Sequence, residues 1–409
     1  MTQIYHAHLY GSRSSKYDWL QAYDVLSTEW KQIRPQAPFY LLIPQNTDLL
    51  GEYEQGWKIT EVMPVNVLGF QSHRDHFAIG FEWEKLKERI AEMRDINITD
   101  IKYSEKYNLK NTRDWKLEEA RKIIRNDAEW ERNLIECAYR PFDDRPCYFG
   151  YVTMDCPRRE LLDHVAGKKN LCLLVSRQIS LQEWRHVFIC DQIAESCFVS
   201  NKTREQNYNF PLYLYPDRTE ITQERRVNFS PEFLKDITAK LGTTPTPETI
   251  FYYIYAVFHS PTYRRRYAEF LKIDFPRVPL TRNLDLCQKL AAYGEELVAL
   301  HLMKSPRLDS PIAQFEGNPD PVVDAGHPKY ASDKVIINKK SDGFTGVPEE
   351  IWNFYVGGYQ VCQKWLKDRK GRTLSPEDIT HYQRIVVALQ ETIRLMQQID
   401  AAIPGWPLE

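Results

Sequence analysis

Residues 170–215 read NLCLLVSRQISLQEWRHVFICDQIAESCFVSNKTREQNYNFPLYLY. Three short apolar runs, 170–175, 185–190 and 210–215, are separated by polar segments. Runs of that length between turn-forming residues predict buried strands. Two more strands are predicted at 147–152 and 194–200. A short helix over 157–165 interrupts the series, with Pro157 suited to its first turn. The expectation for 96–230 is therefore a compact β-rich unit.

Working outward, the flanks differ. Toward the N-terminus, Trp19, Tyr23, Leu26, Trp30 and Ile33 recur at helical spacing, which predicts one helix from a Ser15 cap to Pro35. Strands are predicted at 39–43 and 76–81, then a helix through Leu86, Ile90 and Met93. Residues 1–95 read as a mixed α/β region. A helical pattern also covers 114–137. Beyond Pro231 the chain reads as a mainly helical module, 231–409, with helices at 247–258, 261–271, 283–303, 355–368 and 376–399. Ser375-Pro376-Glu377-Asp378 is a strong helix start: a serine cap, proline at the first position and acids in the first turn. Residues 305–345 are rich in Pro, Gly, Asp and Ser and predict a long loop with one strand at 334–337. The fold class expected from the whole pattern is α+β.

Composition narrows the function. The chain has 409 residues, 54 basic and 56 acidic, so bulk charge gives no support for nucleic-acid binding. No apolar run is long enough to span a bilayer, and residues 1–6 lack the pattern of a signal peptide. Eight dispersed cysteines suggest a reduced, cytoplasmic setting. None of the 17 glycines forms a G-x-G pair, so the turn that cradles a dinucleotide or S-adenosylmethionine is absent. H-E-x-x-H, G-x-S-x-G and C-x-x-C are absent as well. His186, Cys190 and Cys197 lie in apolar alternating sequence and read as buried strand residues rather than metal ligands. Asp95, Asp100 and Lys102 form an acidic-plus-lysine trio of the kind chance supplies in a charged chain.

Local basic residues are more informative. Arg177-Gln178 and Asn201-Lys202-Thr203-Arg204 fall where strands are predicted to end. Arg, Gln and Asn are the side chains that bond bidentately to guanine and adenine edges. Arg264, Arg265 and Arg266 lie in a basic segment fit for phosphate contacts. A second basic cluster comprises Lys364, Lys367, Arg369, Lys370 and Arg372. Tyr139-Arg140-Pro141-Phe142-Asp143-Asp144-Arg145 is either a catalytic group or a structural ion-pair knot. Residues 69–76, GFQSHRDH, are either a polar loop facing substrate or a turn.

Several of these stretches occur together in a familiar order. They are Tyr139-Arg140-Pro141-Phe142-Asp143, Pro157-Arg158-Arg159-Glu160, FPLYLY at 210–215, YYIYAVFHSPTYRRRY at 252–267 and Phe275-Pro276-Arg277-Val278-Pro279. The order resembles the C-terminal part of Type ISP restriction–modification enzymes, the single-polypeptide Type I class. Residues 69–77 resemble the family's stretch between methyltransferase core and recognition domain. Residues 365–369 and 375–378 resemble its C-terminal helices. In that family a nuclease, a helicase-like ATPase and an N6-adenine methyltransferase precede a target recognition domain. This chain lacks the Asn-Pro-Pro-Tyr motif that holds a flipped adenine, so the family's catalytic residues carry over to no position.

What the resemblance implies is a specificity domain that recognises double-stranded DNA. Its partners would be the methyltransferase and helicase/nuclease domains of the same system, with no membrane. S-adenosylmethionine, Mg and ATP would act on those domains and none on this chain. The candidate DNA-contacting residues are Arg74, Arg140, Arg145, Arg158, Arg177, Gln178, Asn201, Lys202, Arg204, Arg264, Arg265 and Arg266. Alternative readings are a nuclease or adenine-methyltransferase fragment, or a scaffold for the catalytic domains.

Overall fold

The computed structural model describes residues 3–37, 40–180, 183–216 and 224–408. Two compact units divide the chain at Gly51. In the first, Ile4–His6 pairs antiparallel with Lys31–Ile33. Its helix is shorter than the periodicity predicts, Arg13–Ala22, and Ser12 rather than Ser15 caps it. The reason lies at Asp24, whose carboxylate accepts the Leu26 and Ser27 amides and offers the backbone a turn in place of another helical bond. The strand expected at 39–43 is absent over 40–43, and Phe39 lies outside the described residues.

The second unit, 52–409, has two β layers at its centre. A four-stranded antiparallel sheet runs in the order Val67–Leu68, Asn207–Pro211, Cys172–Ser176, Val187–Cys190. Every residue of Cys172–Ser176 and Val187–Cys190 is buried, as continuous apolar runs require. A second sheet joins the Leu134–Arg140 and Asp143–Tyr148 hairpin to Ile193–Ala194, which runs parallel to Leu134–Arg140. Phe142, at φ 60°, makes the reversal between the two hairpin strands.

Several sequence readings differ here: the strand expected at 147–152 instead runs over Asp143–Tyr148, and the one expected at 194–200 is only Ile193–Ala194. Residues 134–137 are strand, not helix, because Asp127 ends the Leu117–Asn126 helix and the apolar spacing at 130 and 134 fits either period. Residues 76–81 are not a strand. Asp75–Ala78 makes one helical turn whose amides return to the Arg74 carbonyl, and Ile79 then forms a single bridge to Cys147.

Helices enclose the sheets. Trp83–Arg94 and Leu117–Asn126 bury Leu86, Ile90, Met93, Ala120 and Ile124 in one core with Phe77, Tyr103 and Trp115. On the C-terminal side, Pro247–His259 is buried nearly throughout and packs on Leu284–His301. The long Pro376–Ala402 helix packs against both. The expected 305–345 loop holds a four-stranded sheet: Gln314–Glu316, Gly343–Thr345, Lys334–Ile336 and Lys329–Ala331. Among the described residues no helix is long and apolar enough to cross a membrane. The architecture is α+β, as the pattern predicts.

Candidate functional site

The central sheet presents two loops at one end. Asn207 pairs with Ser176, so the segment leaving Cys172–Ser176 and the segment entering Asn207–Pro211 emerge side by side. The first carries Arg177 and Gln178, both exposed. Arg177 Nε donates to Asp274 Oδ1 at 3.0 Å and Gln178 Nε2 to the Ile273 carbonyl at 3.2 Å. The second loop carries Asn201, Lys202 and Arg204, also exposed. Among the described residues, none forms an ion pair or side-chain hydrogen bond with the Arg204 guanidinium. These five polar side chains stand on a base whose strands are buried, so the platform is rigid while the tips reach solvent.

Buried polar groups tie the two loops together beneath the tips. Glu205, wholly buried, accepts the Ser180 amide at 2.8 Å, the Ser200 hydroxyl at 2.6 Å, the His186 Nε2–H at 3.1 Å and the Ser180 hydroxyl. Burial lowers the pKa of His186, so the imidazole donates as a neutral ring. The Arg185 amide, 3.4 Å from Nδ1, fits that tautomer. Cys190 is a buried strand residue, His186 is buried just ahead of its strand, and Cys197 differs from the expectation: it is half-buried in a turn.

The remaining candidate residues divide by burial. Arg74 is buried between Asp155, the Ser72 and Thr153 carbonyls and the face of Trp115, 3.9 Å from the ring centre. Arg140 is buried against Glu195 at 2.6 Å and stacks on Tyr139. Arg145 pairs with Asp143 and lies 4.0 Å over Phe81. Arg369 reaches the same Asp143 at 3.1 Å while stacking on Trp365. Burial opposes the charge on Asp143, and the Arg145 and Arg369 guanidinia outweigh it, so its pKa is lowered. Of the two sequence readings of residues 139–145, the structure has the ion-pair knot. It fastens the hairpin to Val361–Asp368 and, through Asp378, to Pro376–Ala402. Arg74, Arg140 and Arg145 are thus enclosed frame residues. Arg158 is half-buried at φ 56° at the start of a helical turn.

Arg264, Arg265 and Arg266 point to three environments. Arg264 Nε donates to the Phe258 carbonyl at 2.7 Å, and its guanidinium lies near the Trp184 ring. Burial and the nearby Arg185 bring its pKa down to about 10. Arg265 is exposed, with Asp400 at 3.9 Å. Arg266 is held bidentately by Glu52, both bonds at 2.6 Å. The second basic cluster is partly neutralised: Lys364 pairs with Asp368, and Arg372 with Glu82. Within the Asp95, Asp100, Lys102 trio, both carboxylates are taken into structural bonds. Asp100 holds Arg121 at 2.6 Å, Asp95 bonds Asn97, and the Lys102 amide is capped by Thr99.

Sequence reading missed Glu205, His186, Ser180 and Ser200 as a group. The only available signal was a glutamate next to the Asn201–Arg204 cluster, and nothing in a linear reading says that it turns inward.

No curated protein matches the chain. Solved structures that share its fold include three complexes with DNA. A nuclease-deletion mutant of the Type ISP restriction–modification enzyme LlaGI, in complex with a DNA substrate mimic, aligns with TM-score 0.67 and 20% identity over 95% of this chain and 32% of that one. The ATP-dependent Type ISP restriction–modification enzyme LlaBIII, bound to DNA, aligns with TM-score 0.70 and 19% identity over 93% and 26%. DrdV, in a DNA complex, aligns with TM-score 0.75 and 18% identity over 97% and 43%. The chain therefore spans less than half of each of these larger proteins. Residues 61–398 match the family described as the Type ISP C-terminal specificity domain, and the chain belongs to that family.

Proposed function

We propose that this chain recognises a specific sequence in double-stranded DNA and directs N6-adenine methylation and cleavage performed by other domains of a cytoplasmic restriction–modification system. One observation carries the reading: Arg177, Gln178, Asn201, Lys202 and Arg204 stand exposed at the same end of one buried sheet. Arg, Gln and Asn are the donors that distinguish guanine and adenine in the major groove. The DNA complexes of LlaGI and LlaBIII support it. Arg265, exposed on the helical side, contacts phosphate and positions without reading. Arg74, Arg140 and Arg145 act indirectly, by holding the frame that presents the loops. Arg264 and Arg266 are similarly engaged with the protein. Catalysis, with its S-adenosylmethionine, Mg and ATP, belongs to the methyltransferase and helicase/nuclease domains. This chain has neither the glycine-rich loop nor the Asn-Pro-Pro-Tyr motif, and Asp95 and Asp100 are engaged in internal bonds.

Gel-shift titrations on specific and mixed duplexes at two salt concentrations test this. Arg177→Ala should relax one position of the site, at a cost of about 1–3 kcal/mol in discrimination. Arg265→Ala should weaken binding to all sequences alike and reduce the salt dependence. Unchanged binding to every duplex in both variants would refute both assignments.

A further inference from the structure

Glu205 is a carboxylate with no solvent exposure, immediately after the exposed polar residues 201–204. Burial by itself raises its pKa. Hydrogen bonds from His186, Ser180 and Ser200 outweigh that and hold it well below the usual carboxylate range. An uncompensated buried charge is costly, so the donors that compensate it hold their segments close to the carboxylate. Those donors come from separate segments. Ser180 closes the loop that carries Arg177 and Gln178. Ser200 opens the turn that carries Asn201, Lys202 and Arg204. His186 leads into Val187–Cys190. Lys202 Nζ lies 3.5 Å from the same carboxylate, and the Glu205 carbonyl accepts the Ser176 hydroxyl at 2.5 Å.

We propose that Glu205 is a positioning residue for sequence discrimination: one buried carboxylate fixes the spacing between the Arg177–Gln178 tip and the Asn201–Arg204 turn, so that both meet a single target in register. The assignment rests on the DNA-reading function proposed above. Glu205 itself touches no DNA. A carboxylate suits the task because it only accepts, and its two oxygens serve donors from both loops at once. A glutamine of the same shape must turn its NH2 toward either the Ser180 amide or the His186 Nε2–H, and that donor then loses its acceptor. Hydrogen bonds to base edges fail once donor and acceptor drift beyond about 3.5 Å, so small errors in loop spacing erase discrimination. Backbone electrostatics tolerate such errors and persist.

The test uses the full chain. Sequences are selected from a random duplex library by the wild type, Glu205→Gln, Ser180→Ala and Ser200→Ala. Affinities are then measured for the wild-type consensus and for mixed duplex. In Glu205→Gln, mixed-duplex affinity should stay within about twofold of wild type while the preference for the consensus falls about tenfold or more. Ser180→Ala should make degenerate only those positions read by Arg177 and Gln178. Ser200→Ala should do so for those read by Asn201 and Arg204. These single-donor variants leave the carboxylate its other partners and carry the test even if Glu205→Gln does not fold. Variants that keep the wild-type consensus at full preference overturn the assignment. So do variants that lose specific and mixed binding in equal proportion, because that reports damage to the fold. A wild type that selects no consensus overturns the DNA-reading function itself.

Discussion

Arg140 and Arg177 carry the same guanidinium and serve different ends, because one is enclosed and the other is not. Arg140 sits against Glu195 with an aromatic face beside it. Removing its charge strands the glutamate, and breaking a buried pair in this way costs about 3–5 kcal/mol. Arg140→Ala should therefore lower the urea midpoint strongly, and a loss below about 1 kcal/mol would mean that the pair is not part of the frame. Arg177→Ala removes an ion pair that is half-exposed, and its effect on stability should be under about 1 kcal/mol. At this scale the sequence is legible only in part. The exposed tips could be named from residue type and from their place after strands. The knot at 139–145 stood as one of two readings, because clustered Arg and Asp do not reveal whether solvent reaches them. Glu205 was illegible, since its donors lie at 180, 186 and 200 and only the folded sheet brings them together.

Helix–helix contact sets the limits of substitution among the C-terminal elements. Gly294 lies inside Leu284–His301, where a Cβ would stand 1.9 Å from the Tyr252 carbonyl oxygen of Pro247–His259. In an exposed helix interior, glycine to alanine gains about 1 kcal/mol. Here the sign reverses. Gly294→Ala should be destabilising in thermal or urea unfolding, and a stabilised variant would contradict the close packing of these helices. Ser375 caps Pro376–Ala402 in a reciprocal box with Asp378. Ser375→Ala should cost about 1 kcal/mol. That start was legible in four residues because capping is local. The long C-terminal helices were legible for the same reason: their periodicity spans several turns. The other three strands of that sheet were not, since each carries a single large apolar residue, where Lys334–Ile336 sets Val335 beside Ile336. The Asp24 turn that cuts the first helix was missed because the apolar spacing continues through it.

Across the whole molecule, burial has taken several histidines out of titration. His186, His259, His301 and His381 all have lowered pKa values, each chiefly through burial, with His301 brought to about 3. Unfolded, each takes up a proton near its ordinary 6.5; folded, each resists it. The unfolded chain then binds more protons, so stability falls as pH drops below 6.5 toward the folded values. The lowered carboxylates of Glu205, Asp143 and Asp155 add a loss of the same sign below about pH 4.5. Asp144, pushed up to about 8, and the raised Glu136 and Glu195 act with the opposite sign over the same range, each chiefly through burial, so the histidine contribution is read as a difference between proteins. Between pH 7.5 and pH 5 the urea midpoint of wild type should lose ground relative to that of His301→Phe, which has no imidazole to protonate on unfolding. A gap between the two that stays constant over this range would contradict a neutral, enclosed His301.

The proposed function puts an address on duplex DNA in two loops of one sheet. The most direct measurement is repeated selection of the full chain against a random duplex library, followed by sequencing of the retained pool. The account predicts a short consensus that sharpens with each round and loses one position in Arg177→Ala. A pool that stays random while duplex is still retained would contradict it.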